Sequence, residues 1–387
     1  MDENKLFKSL WDLLVPPSGK AETAQGEVIR IAGRVQHEFL DNGCTNWDDD
    51  FRKMLDTFLK YVQLGNSELK VSQVCLGCMG YGDPQKGMHS WTLPLEPSLE
   101  ILKMAIENGI NFFDTAMGYQ GGTSEKYLGE AIRRYAKRQD VIVATKFHGR
   151  TKEHLQQGIS ARAHITDCLN GSLQRLGLDY VDLYILHAWD YNTPIEETLE
   201  VLHELIASGK IRYIGISNCF AWQLAKANEI AKAHGWETFI SVQGHYNLIF
   251  REEEREMAPY CQAHQITMTP YSALAAGRLS RLVNASTTKR LKEDSYAMGK
   301  YDASANADEK IINIVNQIAQ QRNVSMTEVA LAWLMHKGCV PIAGATKIEQ
   351  LEGLIKACDL ELTEEEITNL EALYVPHQLV GVMAANK

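Results

Sequence analysis

The sequence predicts an α/β protein: a (β/α)8 barrel of the TIM type preceded by a small all-helical module. Three observations predict it. From about residue 64 onward, short apolar strands alternate with amphipathic helices over somewhat more than ~250 residues. Polar and ionisable residues recur where those strands should end. Residues 1 to about 60 follow a different, purely helical pattern, which divides the 387-residue chain into an accessory module (1–60) and a barrel (61–387).

The elements follow in order. Leu64 to Leu69 with Val71 to Val74 reads as a small hairpin leading into the first strand. Strands are expected near 74–78, 110–114, 141–146, 181–186, 211–216, 239–243, 266–270 and 340–343. Helices are expected at 98–108, 124–136, 161–176, 195–208, 220–234, 252–264, 308–336 (in two pieces) and 347–357. Ser124 is placed as the N-cap of the second of these helices. A doubly wound sheet is the competing arrangement. Against it, Gly77-Cys-Met-Gly-Tyr-Gly-Asp-Pro makes a poor dinucleotide fingerprint, with no helix directly behind it. Two long interruptions, 82–97 and 278–306, follow the first and seventh strands, where long loops commonly cover ligands.

In residues 1–60, Leu6, Phe7, Leu10, Trp11, Leu13 and Leu14 have helical spacing, stopped by Pro16-Pro17. A second apolar face runs through Val28, Ile31, Val35 and Phe39, and a third through Phe51, Leu55, Phe58 and Leu59. Three helices of this size are too short to hold a deep core of their own.

Composition excludes several classes. A net charge of −10 without a dense Lys/Arg run argues against nucleic acid as a partner. The eight cysteines are scattered. Cys75 and Cys78 form a C-x-x-C without the second pair that a zinc site needs, so buried thiols are expected and no metal. The N-terminus lacks a signal-peptide apolar region and no apolar run could span a bilayer, which makes the cytoplasm the expected location, with no membrane partner.

The chemistry is expected at one barrel mouth. Asp114 ends the second strand, Lys146 the third, and His187 follows the fourth. Ser217-Asn218 follow the fifth, Gln243 ends the sixth, and Tyr271-Ser272 follow the seventh. Each alone has an ordinary explanation as a solvated or turn residue. Their recurrence at successive strand ends does not.

Phe113-Asp114-Thr-Ala-x-x-Tyr119, Ala144-Thr-Lys146, Ser172-Leu-x-Arg-Leu-Gly-Leu-Asp-Tyr-Val-Asp-Leu-Tyr-Ile-Leu-His187 and Gly209-Lys-Ile-Arg-Tyr-Ile-Gly-Ile-Ser-Asn218 resemble aldo-keto reductases. The run Gln243 to Glu254 and the run Pro270 to Leu279 resemble the branch of the potassium-channel β-subunits and their bacterial relatives. The resemblance runs from about Tyr61 to the C-terminus and leaves residues 1–60 uncovered.

It implies an NADP(H)-binding barrel that reduces aldehydes or ketones, or oxidises the corresponding alcohols, with Asp114, Tyr119, Lys146 and His187 as a catalytic tetrad. Hydride delivery to a carbonyl leaves an oxygen that needs a proton, which Tyr119 would give. A lysine cation ~4 Å away at an effective dielectric of ~20 contributes about 4 kcal/mol, so a downward shift of the Tyr119 pKa is expected to survive desolvation. Ser217, Asn218 and Gln243 match residues that hold the nicotinamide carboxamide, and Tyr271 the aromatic that stacks on the ring. Ser272, Leu274, Gly277 and Leu279 match the diphosphate loop. Arg290, Thr346, Lys347 and Gln350, with Gly344, fall near positions that hold the 2′-phosphate side of the cofactor. Met79, Tyr81, Trp91, His148 and Trp189 are expected to line the substrate pocket.

Three departures stand out: Ala273 where many relatives have proline, Gly353-Leu354 where many have Glu-Asn at the adenine, and Gln120 in place of the usual glycine. The resemblance also admits a nucleotide-sensing regulatory subunit or a sugar-phosphate-converting enzyme, and a homo-oligomer.

Overall fold

Eight parallel strands make one sheet, and its two ends meet. The computed structural model describes residues 61–87, 89–282 and 289–386, and the expected three-helix module of residues 1–60 lies outside them. The barrel strands are β1 (Cys75–Gly77), β2 (Phe112–Asp114), β3 (Ile142–Phe147), β4 (Val181–Leu186), β5 (Ile211–Ser217), β6 (Ser241–Gln243), β7 (Thr267–Met268) and β8 (Ile342–Ala343). Each neighbours the next, and β8 also pairs β1. Val340 N donates to Met268 O (3.0 Å) and Ile342 N to Pro270 O (2.9 Å), which closes the ring between β7 and β8.

Side chains alternate between the lumen and the helical layer, as the pleat requires. On β3, Ile142 and Ala144 join the interior cluster with Cys75, Phe112, Leu183, Ile185 and Ile240. Val143 and Phe147 join the outer core between sheet and helices, with Tyr184 and Leu186. Both faces are dry, so these strands read as near-continuous apolar runs. The lumen is narrow: a Cβ on Gly215 would lie 2.7 Å from Ser241 Oγ.

One end of the lumen is plugged by the hairpin of Tyr61–Gln63 and Lys70–Ser72. Its strands flank the Leu64–Leu69 segment, which is a turn. Leu64, Leu69 and Val71 pack into the interior cluster beside Cys75, Phe112 and Ile142, at the N-terminal ends of β1, β2 and β3. Gly65 sits in the left-handed region at φ +60°, and a Cβ there would come within 2.3 Å of Ile240 O. Its amide donates to Thr267 Oγ1 at 2.6 Å.

The helices fall close to expectation, with instructive exceptions. The helix after β2 begins at Thr123 behind a left-handed Gly122, so Ser124 is not its N-cap. Its hydroxyl instead donates to Cys78 O (2.7 Å) and bonds Thr115 Oγ1 (2.9 Å), tying three loops together. Among its described residues, the interruption after β7 carries helical turns at Lys289–Glu293 and Ser295–Tyr301. A further helix, Glu364–Glu371, was not expected. Its signal was a capping box in which Thr363 and Glu366 bond reciprocally. Cys75 and Cys78 are buried free thiols, and burial raises both. Among the described residues no helix is long and apolar enough to cross a membrane, and no cluster could hold a metal ion.

Candidate active site

The alternation that fills the lumen also builds the site. Continuing the inward series Ile142, Ala144 puts Lys146 at the top of the lumen, and Phe112 leads in the same way to Asp114. In register, Asp114 pairs Ala144, and Ser217 pairs Gln243. The apolar floor thus gives way to polar side chains at the C-terminal ends of the strands.

Lys146 is wholly buried and Asp114 nearly so. The ammonium donates to Asp114 Oδ1 (2.6 Å), Thr115 O (2.8 Å) and Tyr119 Oη (3.1 Å). Three acceptors satisfy its three protons. The other Asp114 oxygen accepts from Gln243 Nε2 at 3.0 Å. Burial alone would lower the lysine, but Asp114 and Tyr119 outweigh it and hold the ammonium above its ordinary range. Tyr119 departs from expectation. Burial pushes the phenol up, and Lys146, pulling it down, does not compensate. The contact is as close as expected; desolvation of a phenolate in this site is the larger effect. Tyr119 is therefore a protonated phenol near neutrality.

His187 follows β4, its ring edge-on to Tyr119 at 6.0 Å and stacked on His148 at 4.4 Å. Burial, with Lys146 and His148 beside it, holds its pKa well below the ordinary imidazole value. Its Nδ1 is buried without a partner. The ring is neutral and can donate one hydrogen bond.

Ser217, Asn218, Gln243 and Tyr271 come together in one network. Asn218 Nδ2 donates to His187 O (2.9 Å) and Ser217 Oγ (2.8 Å), Ser217 Oγ donates to Gln243 O (2.8 Å), and Tyr271 Oη donates to Asn218 Oδ1 (3.0 Å). The loop after β7 carries a run of left-handed backbone: Ser272 (φ +55°), Ala275 (+49°), Ala276 (+54°) and Gly277 (+92°). Three of these are not glycine, and each costs roughly 1 kcal/mol or more. Ala275 N and Gly277 N donate within the turn, to Ser272 O and Leu274 O (both 2.8 Å), so its own hydrogen bonds hold the strained backbone. Leu274 is half-buried and Leu279 anchors the turn in the core.

At β8, Thr346 N and Oγ1 both donate to Gln350 Oε1 (2.8 and 3.1 Å). Lys347 and Gly344 are exposed at the loop that opens the next helix. Arg290 packs on the segment that follows β1. Its guanidinium lies 4.3 Å over the Trp91 ring and its Nε donates to Asp294 at 3.1 Å. Trp91 in turn borders Thr346: a Cβ on Gly80 would lie 3.6 Å from the Trp91 ring and 3.5 Å from the Thr346 methyl.

Two of the five expected pocket residues are used otherwise. Tyr81 is 1% exposed with its hydroxyl donating to Ala345 O (2.8 Å), so it braces the β8 loop. Trp91 is buried under Arg290. Both are large, flat and drawn into gaps between loops. Met79 and Trp189 remain half-buried at strand ends, and His148 is exposed. Gln120, the departure beside Tyr119, is a buried clamp. Its Nε2 donates to Asp83 O and His89 O (both 2.9 Å), and its Oε1 accepts from His89 N (3.1 Å), fixing the segment after β1.

A barrel with an acid, a lysine, a phenol and a neutral imidazole converging at its C-terminal mouth has the layout of a barrel oxidoreductase. The Aldo/keto reductase family model matches residues 73–375, and the chain belongs to that family, whose members use nicotinamide cofactors. It is 38% identical over 347 residues to a provisionally assigned aryl-alcohol dehydrogenase of Schizosaccharomyces pombe, covering 83% of this chain and 97% of the relative. It is 37% identical over 338 residues to versiconal hemiacetal acetate reductase of Aspergillus parasiticus, covering 82% and 98%. A crystallised thermostable aldo-keto reductase in complex with the inhibitor epalrestat superposes with a TM-score of 0.65 at 29% identity, covering 81% of this chain and 99% of that one.

Proposed function

We propose that this oxidoreductase is an NADP(H)-dependent carbonyl reductase or alcohol dehydrogenase in which Tyr119 is the general acid and base. The observation that carries the reading is the Lys146 ammonium, buried between Asp114 and the Tyr119 hydroxyl. When bound, the nicotinamide supplies or accepts a hydride. The protein's part is proton transfer and orientation. Tyr119, kept protonated by burial, donates from its hydroxyl to the carbonyl oxygen. Lys146 steadies the phenolate left behind, and Asp114 holds Lys146 charged and in place. His187, neutral, donates to the same carbonyl oxygen and orients it.

The donor set suits an anionic dinucleotide: a β7 loop of left-handed residues, and Thr346 and Lys347 at the opening of a helix. Thr346 and Lys347 favour NADP(H), because charge-assisted contacts to a 2′-phosphate contribute roughly 1.5–3 kcal/mol each. Aromatic aldehydes head the substrate panel. Trp189 and the exposed Trp222 lie 6.3 Å apart, with the exposed Tyr191 in the same loop as Trp189, and one relative is provisionally assigned to aryl alcohols. Turnover is tested by following NADPH absorbance over a panel of aromatic aldehydes, ring ketones and polyols. Fluorescence titration should show NADPH binding at least tenfold tighter than NADH; equal dissociation constants would remove the NADP(H) assignment.

A further inference from the structure

Among the described residues, one buried lysine of this barrel has no carboxylate partner. Lys300 lies on the short helix Ser295–Tyr301, in the long segment between β7 and β8, and is 5% exposed. Its contacts are a long hydrogen bond to Ser272 Oγ (3.4 Å) and the faces of Tyr271 and Tyr296, 4.6 and 4.9 Å from the ring centroids. Among the described residues, no carboxylate lies within 4.0 Å of its ammonium. The acid that most influences it is Asp294, and both Asp294 oxygens are engaged: Oδ1 accepts from Ala297 N (3.0 Å) and Oδ2 from Arg290 Nε (3.1 Å).

The side chain is nevertheless held in place. The C-terminal segment passes over it at Gly381, which has a left-handed φ of +64°. A Cβ there would fall 2.9 Å from Lys300 Cε and 2.7 Å from Tyr296 Oη. A long, flexible amine normally escapes to water sooner than remain buried alone. Burial lowers the ammonium to about 7, with Arg290 adding to the fall and Asp294 opposing it. A cation kept dry, confined and unpaired is complete only when an anion arrives.

The position of that anion is given by the neighbours. Lys300 touches Ser272 and Tyr271, the first residues of the left-handed β7 turn, whereas Thr346 and Lys347 stand at β8. We infer that Lys300 is a cofactor-binding residue that pairs with an anionic oxygen of the dinucleotide's diphosphate, reaching the β7 turn from the inserted helix. This rests on the dinucleotide reading above. Cations on tyrosine faces are weakly held, so Lys300 can leave the ring for a phosphate oxygen without breaking an ion pair.

The test compares two probes on the full-length protein. NADPH carries the diphosphate; adenosine 2′-phosphate has the 2′-phosphate and adenine but no diphosphate. In Lys300→Met, the NADPH dissociation constant should rise about tenfold or more, while that of adenosine 2′-phosphate stays within about threefold. Lys300→Arg should restore most of the NADPH affinity. NADPH binding within threefold of wild type in the Met variant overturns the inference. So does equal weakening of both probes, which marks a structural lysine, or an unchanged NADPH affinity with a raised KM for an anionic substrate alone. A wild-type protein that binds adenosine 2′-phosphate but gains nothing from the rest of NADPH would sink the dinucleotide reading itself.

Discussion

Lys146 and Lys300 are both almost shut off from water, at 0% and 5% exposure, yet they titrate in opposite directions. At the end of β3, the ammonium of Lys146 meets a carboxylate, a carbonyl and a phenol, and is held above its ordinary range. On the inserted helix, Lys300 meets one hydroxyl and two aromatic faces, and falls to about 7. Burial penalises both charges; partners within hydrogen-bond reach decide which penalty is overcome. The Lys146 site is electrostatically complete in the protein alone. The Lys300 site is left open.

The paired site is most vulnerable at Asp114. Asp114→Ala should convert Lys146 into a second unpaired buried lysine and cost about 3–5 kcal/mol of stability, read by urea denaturation. A loss under about 1 kcal/mol would mean that Thr115 O and Tyr119 suffice to hold the ammonium.

Removing the proton from the paired site comes next. Tyr119→Phe should lower kcat by ~10²-fold or more while NADPH binds within about threefold of wild type. A variant that keeps more than about a tenth of kcat would identify another group as the acid.

The open site sharpens through pH. An unfolded lysine titrates near ~10.4 and folded Lys300 at about 7, so the unfolded chain binds more protons between those values. Stability of the cofactor-free protein is therefore drawn down as pH falls through that window, by at most ~1.4 kcal/mol per unit, and the loss levels off below about pH 7. Lys300→Met should flatten this component and raise Tm by several degrees near pH 7, with a smaller gain near pH 10. Parallel pH profiles for the two proteins would show that Lys300 stays neutral or has a hidden anion.

The barrel and its mouth were legible for different reasons. Strand ends placed Asp114, Lys146, Ser217 and Gln243, because the C-terminal ends of parallel barrel strands all open on one mouth. Family motifs marked Tyr119 and His187 as well. Misplacements cluster in loops and helix starts. Ser124 is drawn inward by Cys78 O and Thr115, and Tyr81 is turned onto Ala345. Those partners lie 9 to 264 residues away, beyond what periodicity can address.

The sequence by itself determined the eight parallel strands, the polar residues at their ends and the family, since these depend on local patterns and spacing along the chain. Only the tertiary structure decided how the charges behave. It showed that desolvation outweighs Lys146 at Tyr119, that Gln120 clamps the segment after β1, and that Lys300 is buried with no carboxylate within reach among the described residues. A pKa is set by every dipole and charge within several ångströms and by how much water is removed. Those neighbours are assembled from β2, β3, the β7 insertion and the C-terminal segment, and folding alone brings them together.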